Sequence, residues 1–232
     1  MPQCLGWPRH SDMNVRHLHY PFAVTNATIA ADISLFALRR TGKNGVMASL
    51  IPLEDAAQRL GNLYPDAECE LVHSNAFELL VATVLSAQTT DVRVNQVTRE
   101  LFSRWPDPAA LAGAAESDVA EVVRPLGMGV RRAGQIIGLS SGLLADHGGE
   151  VPNDQRALEA LPGVGRKTAH VVRGTWFGAS LLTVDTHVGR LARRFGWSTH
   201  TDPRKVETDV VALADGTVDL TQLSCLLYTS PS

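Results

Sequence analysis

Cysteine is scarce in this sequence: Cys4, Cys69 and Cys225 are widely separated and odd in number. A disulfide framework needs a paired, closely spaced set and a thiolate metal site needs clustered ligands, so neither is indicated and a reducing cytoplasm is the default setting. Long apolar runs are lacking as well. Nothing approaches the ~18 consecutive apolar residues of a membrane helix. The nearest stretch, "PFAVTNATIAADISLFAL" at 21–38, is broken by Asn26 and Asp32 and has no compact apolar segment or small-residue cleavage site of an export signal. Strand-like alternation is also rare, which leaves an all-α fold class. Finally, there is no excess of positive charge: the net charge of −3 excludes a protein that holds nucleic acid by bulk charge alone.

What is present is uneven. Between Arg156 and Lys205 there are nine Lys/Arg and only three acids, a local balance of +6 that leaves −9 for the rest of the chain. Either this is a solvated helix face or it is the footprint of a polyanion. A hydrophobic content of 44% with 19% charged residues is ordinary for a globular chain, and 232 residues suffice for one large or two small domains.

Residues 1–46 have weak periodicity, three histidines (His10, His17, His19) and the loop-like "RRTGKNG". They read as a disordered or non-native extension ahead of a natural start near Met47, with a metal-binding histidine tract as the alternative. From Pro52 onward the punctuation is helical. "PLEDAAQRLGNLY" suits a first helix; Asn75 with Glu78 three residues on opens "AFELLVATVLSA" as a capped, buried helix. Asp91 is positioned to cap "VRVNQVTRELFSRW", Ser117 to cap "DVAEVVRPL" and Asp154 to cap "QRALEAL". Asp202-Pro203 starts "RKVETDVVALA", and Gly148-Gly149 stops "RRAGQIIGLSSGLLADH". "PLGMGVRRAGQII" and "LPGVGRKTAHVV" echo each other, each placing a glycine pair before basic residues and a helix.

The second of these, "LPGVGRKTAH" at 161–170, admits two readings. A nucleotide phosphate loop requires G-x-x-x-x-G-K-[ST], with glycine directly before the lysine and a strand leading in. Here Arg166 precedes Lys167, the lead-in is helical and the glycines lie two apart, so a nucleotide triphosphatase is disfavoured. A helix–hairpin–helix fits each residue. Pro162 ends one helix, Gly163 and Gly165 permit positive φ and close approach, and the next helix points free N–H groups into the turn, where a phosphate oxygen would meet them. Such a grip positions one DNA strand without reading its sequence. Downstream, Asp185 in "TVDTHVGRLARRFGW" is placed either as a helix cap or as an acid partner of Lys167.

Three separated stretches, "AFELLVATVLSAQTTDVRVNQVTRELF", "LEALPGVGRKTAHVV" and "TVDTHVGRLARRFGW", resemble the endonuclease III family of base-excision DNA glycosylases from about Tyr64 to about Ser224. The resemblance implies a six-helix barrel domain over 71–182, with the helix–hairpin–helix near 154–178, packed on a second helical domain from 50–70 plus 183–223. It implies Lys167 as the nucleophile and Asp185 as its carboxylate partner. Attack on C1′ needs a neutral amine, which a helix N-terminus and cations such as Arg166 favour. Asp185 would stabilise developing positive charge on the sugar and assist proton transfer. A lysine in addition to the carboxylate implies a bifunctional enzyme: it removes oxidised pyrimidines through a Schiff base and nicks the strand 3′ to the abasic site by β-elimination. Gln88 and Met128 correspond to residues inserted into the duplex when the base leaves the stack. Leu161, Gly163, Val164, Gly165 and Arg166 form the DNA-binding hairpin. The implied partner is damaged double-stranded DNA, bound by a monomer in the cytoplasm at the bacterial nucleoid.

The chain departs from the family at its end. Many members carry a four-cysteine loop holding a [4Fe–4S] cluster, and those ligands are absent here, so no cofactor is expected in this chain and no metal ligand is assigned. Residues 224–232 read as a foreign tail on a C-terminally truncated frame, with exposed apolar surface as the expected consequence. His170 stands where the family usually has asparagine, and "GMGVRRA" has glycine and Arg132 where an aromatic and a lysine are frequent. The alternative to an enzyme is a non-catalytic helix–hairpin–helix DNA-binding module or an inactive fragment.

Overall fold

The computed structural model describes residues 51–230. The N-terminal extension at 1–46, with Cys4 and the three histidines, and the last two residues of the tail lie outside the described residues. Among the described residues all regular structure is helical. The order is α1 (Leu53–Leu63), α2 (Ala76–Leu85), α3 (Asp91–Arg104), α4 (Pro108–Ala112), α5 (Glu116–Val123) and a 3₁₀ turn (Arg124–Leu126). There follow α6 (Gly129–His147), α7 (Gln155–Ala160), α8 (Arg166–Thr175), α9 (Thr186–Arg194), α10 (Pro203–Ala214) and α11 (Leu220–Thr229).

Most helix boundaries follow from local chemistry. The Asn75 side chain accepts from the Glu78 N–H at 2.9 Å, satisfying a free donor of α2, and Glu78 reaches back to the Ser74 N–H just before the cap. Asp154 caps α7 and Asp202 caps α10, with Pro203 at the first helical position. Helix α6 stops at Gly148 and Gly149, both in the left-handed region. Two expected caps are corrected. Asp91 is the first residue of α3, after Thr90, which makes no side-chain cap bond. Ser117 lies inside α5, which begins at Glu116 after Ala115. Helix α4, capped by Asp107, was not anticipated, because five residues carry no helical periodicity.

Two apolar cores form. The first is built from α2 through α8, with Leu79, Leu80, Leu101, Ile136 and Leu139 fully buried; each such side chain stabilises the fold by about 1.5–3 kcal/mol. The second joins Leu53 and Ala56 of α1 to Val188 and Leu191 of α9, Val206 and Val210 of α10, and Leu223 and Leu227 of α11. It is thus assembled from segments on both sides of the first. Within the stretch read as a foreign tail, Leu226 and Leu227 of α11 are buried, Leu227 in the second core. Helix α11 also lies close against α8. A Cβ on Gly174 would fall 2.6 Å from Thr221 Oγ1, so a side chain there would push the two helices apart. At the other end of α8, its N-terminus meets that of α9, where Lys167 faces Asp185.

Candidate active site and nucleic-acid interface

Lys167 is the second residue of α8 and Asp185 is the N-cap of α9. Asp185 Oδ1 accepts from the Val188 N–H at 2.8 Å, while Oδ2 lies 3.6 Å from Lys167 Nζ. One carboxylate therefore does both jobs that the sequence offered: one oxygen locks the rotamer and the other faces the lysine. The lysine side chain is 56% exposed and the aspartate only 21%, so the amine is reachable while its partner is shielded.

Both residues open onto a cavity of about 310 Å³, also lined by Gln88, Asp91, Glu70 and Thr183. That volume is at the lower end of small-molecule pockets. Two features of its wall were missed in the sequence. Asp91 lines the cavity, and burial foremost, with Glu70 next, holds its pKa above the usual carboxylate range against the opposing pull of Lys167. Thr89 Oγ1 is buried at the same wall with no hydrogen-bond partner. Reading Asp91 as a cap hid the first, and no local pattern signals the second.

The hairpin between α7 and α8 has the geometry of an anion cradle. Gly163 has φ +78°, and the Val164 N–H donates to Leu161 O at 3.1 Å. Gly165, free to take positive φ, is instead extended at φ −102°; its contribution is open space, since nothing lies within 4 Å of where its Cβ would be. Helix α8 has no side-chain cap, unlike α7 before it and α9 after it, so its leading N–H groups face the hairpin unpaired by a cap. Leu161 and Val164 bury their side chains in the first core, which leaves only their backbone for any contact with DNA.

Arg166 is placed differently from the expectation. Its guanidinium makes a two-pronged ion pair with Glu207 of α10, Nε at 3.0 Å and Nη2 at 2.7 Å. Its charge is therefore compensated, and the positive field beside Lys167 is that of the α8 N-terminus. The unusual His170 is buried behind it, with Nδ1 2.9 Å from Leu182 O and Nε2 3.9 Å from Glu207. His187 meets Leu227 O of α11 through Nε2 at 3.0 Å and Arg190, three residues on, through Nδ1 at 3.0 Å.

Gln88 and Met128 are exposed at the tips of two neighbouring turns, the first at the cavity. Both have left-handed backbones, φ +61° and +52°, a conformation that residues with a side chain adopt only under constraint. The buried guanidinium of Arg132 lies beneath both. It donates to Gly127 O at 2.9 Å, Ala87 O at 2.8 Å and Leu85 O at 2.6 Å.

A [4Fe–4S] cluster does not fit these residues. The sequence has three cysteines where four thiolates are needed. Among the described residues no cluster of three or more His, Cys, Asp or Glu is arranged for a metal. Burial raises the pKa of both Cys69 and Cys225, the latter to about 11, which keeps them as thiols.

Comparison with known proteins accords with this geometry. The family model of the HhH-GPD superfamily base excision DNA repair proteins matches residues 81–214. Endonuclease III of Bacillus subtilis (strain 168) is 44% identical over 150 residues, covering 65% of this chain and 68% of that protein. Endonuclease III of Escherichia coli (strain K12) is 43% identical over 149 residues, covering 64% and 71%. Among solved structures, a non-covalent endonuclease III–DNA complex matches with a TM-score of 0.73 at 36% identity, covering 78% of this chain and 86% of that one. With all-helical architecture, hairpin and family model in agreement, the chain belongs to the endonuclease III family of HhH-GPD base excision DNA glycosylases.

Proposed function

We propose that this chain is a bifunctional DNA glycosylase and abasic-site lyase, acting as a monomer on oxidised pyrimidines in duplex DNA. The observation that carries the reading is the 3.6 Å approach of Lys167 Nζ to Asp185 Oδ2 at the mouth of the cavity. A carboxylate alone supports hydrolytic base removal. An accessible amine beside it adds a covalent route.

In this mechanism the uncapped α8 N-terminus and the open backbone at Gly165 hold a phosphate of the damaged strand. Gln88 and Met128 fill the gap as the damaged nucleotide swings into the cavity. Asp185 stabilises the positive charge that builds on the sugar as the glycosidic bond lengthens and the base takes the bonding electron pair. Lys167, passing a proton to Asp185, attacks C1′, and the C1′–O4′ bond breaks with a proton delivered to O4′, which gives the Schiff base. Loss of a C2′ proton to the carboxylate of Asp91, a residue of the cavity wall, then expels the 3′ phosphate, and water releases the enzyme.

The test uses duplex DNA with a preformed abasic site. Borohydride should trap a covalent adduct, and Lys167→Ala should abolish both adduct and nicking. Salt-dependent binding without nicking by the unmodified chain would instead establish a DNA-binding module without turnover.

A further inference from the structure

We propose that Arg132 is a positioning residue that locks Gln88 and Met128 into one rigid two-pronged wedge, so that base extrusion depends on a side chain that never touches DNA. The inference rests on the wedge reading of Gln88 and Met128 given above.

The geometry is specific to those two residues. Two of the three carbonyls that Arg132 holds belong to Ala87 and Gly127, the residues immediately before Gln88 and Met128. Peptide groups are planar, so fixing each oxygen fixes the orientation of the bond plane that enters each tip residue. The third carbonyl, Leu85 O, ends α2 and anchors the assembly to the first core. A single guanidinium therefore joins the end of α2 and the turn after it, 47 and 45 residues away in sequence, to the turn five residues away. Arg132 is 4% exposed and meets no carboxylate in these bonds; desolvation lowers its pKa. A planar fork with several fixed donors suits three divergent acceptors, whereas a lysine has one nitrogen on a flexible stem. Left-handed backbone at Gln88 and Met128 is unfavourable on its own, so release of the carbonyls should let both tips relax away from the duplex.

The experiment compares Arg132→Lys and Arg132→Gln in the full chain, alone and combined with Gln88→Ala and Met128→Ala. In the DNA-free protein, amide hydrogen exchange at Thr89 and Gly127, which bond within the two turns, should accelerate together in the Arg132 variants. Acceleration in one turn only, or in neither, overturns the coupling, whether or not the protein excises bases. With DNA, single-turnover excision of an oxidised pyrimidine from duplex should fall by about 10- to 100-fold in Arg132→Lys. The burst in 2-aminopurine fluorescence that reports flipping should slow in parallel. Borohydride trapping on a single-stranded abasic oligonucleotide, where nothing must be unstacked, should stay within about twofold. In the Gln88→Ala, Met128→Ala background the Arg132 substitution should cost nothing further; an additive loss would show that Arg132 acts elsewhere. A chain that traps abasic DNA but excises no base would refute the glycosylase reading and leave the exchange result to decide this one.

Discussion

The two halves of the site hold their side chains by opposite means. Lys167 and Asp185 sit at the starts of ordinary helices, and the aspartate is fixed by a local bond to the Val188 N–H three residues away. Gln88 and Met128 sit on left-handed backbone, and what fixes them is Arg132, a buried cation remote in sequence from one of the two turns. The reacting pair is thus rigid by secondary structure and the wedge pair by tertiary bonds. Mutations should affect them differently: near the reacting pair, chemistry fails while the fold stands, and near the wedge, extrusion fails while chemistry stands.

Asp185→Asn offers the sharpest test of the first half. Asparagine caps as well as aspartate, so the melting temperature should hold while base removal falls by about 100-fold. Asp185→Ala should add a stability loss of about 1 kcal/mol, since the cap of α9 goes too. If both variants lose equal stability, the capping oxygen is not what holds this carboxylate. Gly163→Ala comes next. At φ +78°, and with Val84 Cγ1 3.3 Å from the new Cβ, it should destabilise by about 1 kcal/mol or more and weaken duplex binding, as read by calorimetry and titration at fixed salt.

Asp91→Asn should have a smaller, pH-dependent effect. The folded carboxyl has its pKa raised, so its contribution favours the fold below the unfolded value and is lost as pH rises through the folded one. The variant should therefore gain stability relative to the parent chain as pH rises above about 4 in thermal melts, while nicking at preformed abasic sites slows. A gain that shrinks with rising pH would mean that Asp91 is stabilised by Lys167 more than it is penalised by burial. Glu207→Gln should matter least for stability, by well under 1 kcal/mol, because Arg166 is 42% exposed and the pair is screened. It would free Arg166 toward the hairpin, so duplex affinity should rise slightly at low salt and the rise should vanish at high salt.

Legibility in the sequence followed the same divide. Caps at Asn75, Asp154, Asp185 and Asp202, the glycine stop of α6 and the hairpin are local features, and the all-α fold followed from them. The pair of Lys167 and Asp185 needed the family resemblance to be joined, because they lie eighteen positions apart in the sequence. Asp91, Thr89 and the engagement of Arg166 by Glu207 were not legible. Each depends on which elements pack together, as Glu207 lies 41 residues from Arg166. Arg132 could be noticed only as a departure; its three acceptors are backbone carbonyls, which leave no mark in a sequence.

The central claim is that Lys167 is the attacking amine, and the most direct measurement is peptide mass mapping of the borohydride-reduced adduct with abasic DNA. The sugar remnant is expected on the Lys167 Nζ alone. A remnant on another lysine or on the N-terminal amine, or an adduct of unchanged yield in Lys167→Ala, would contradict it.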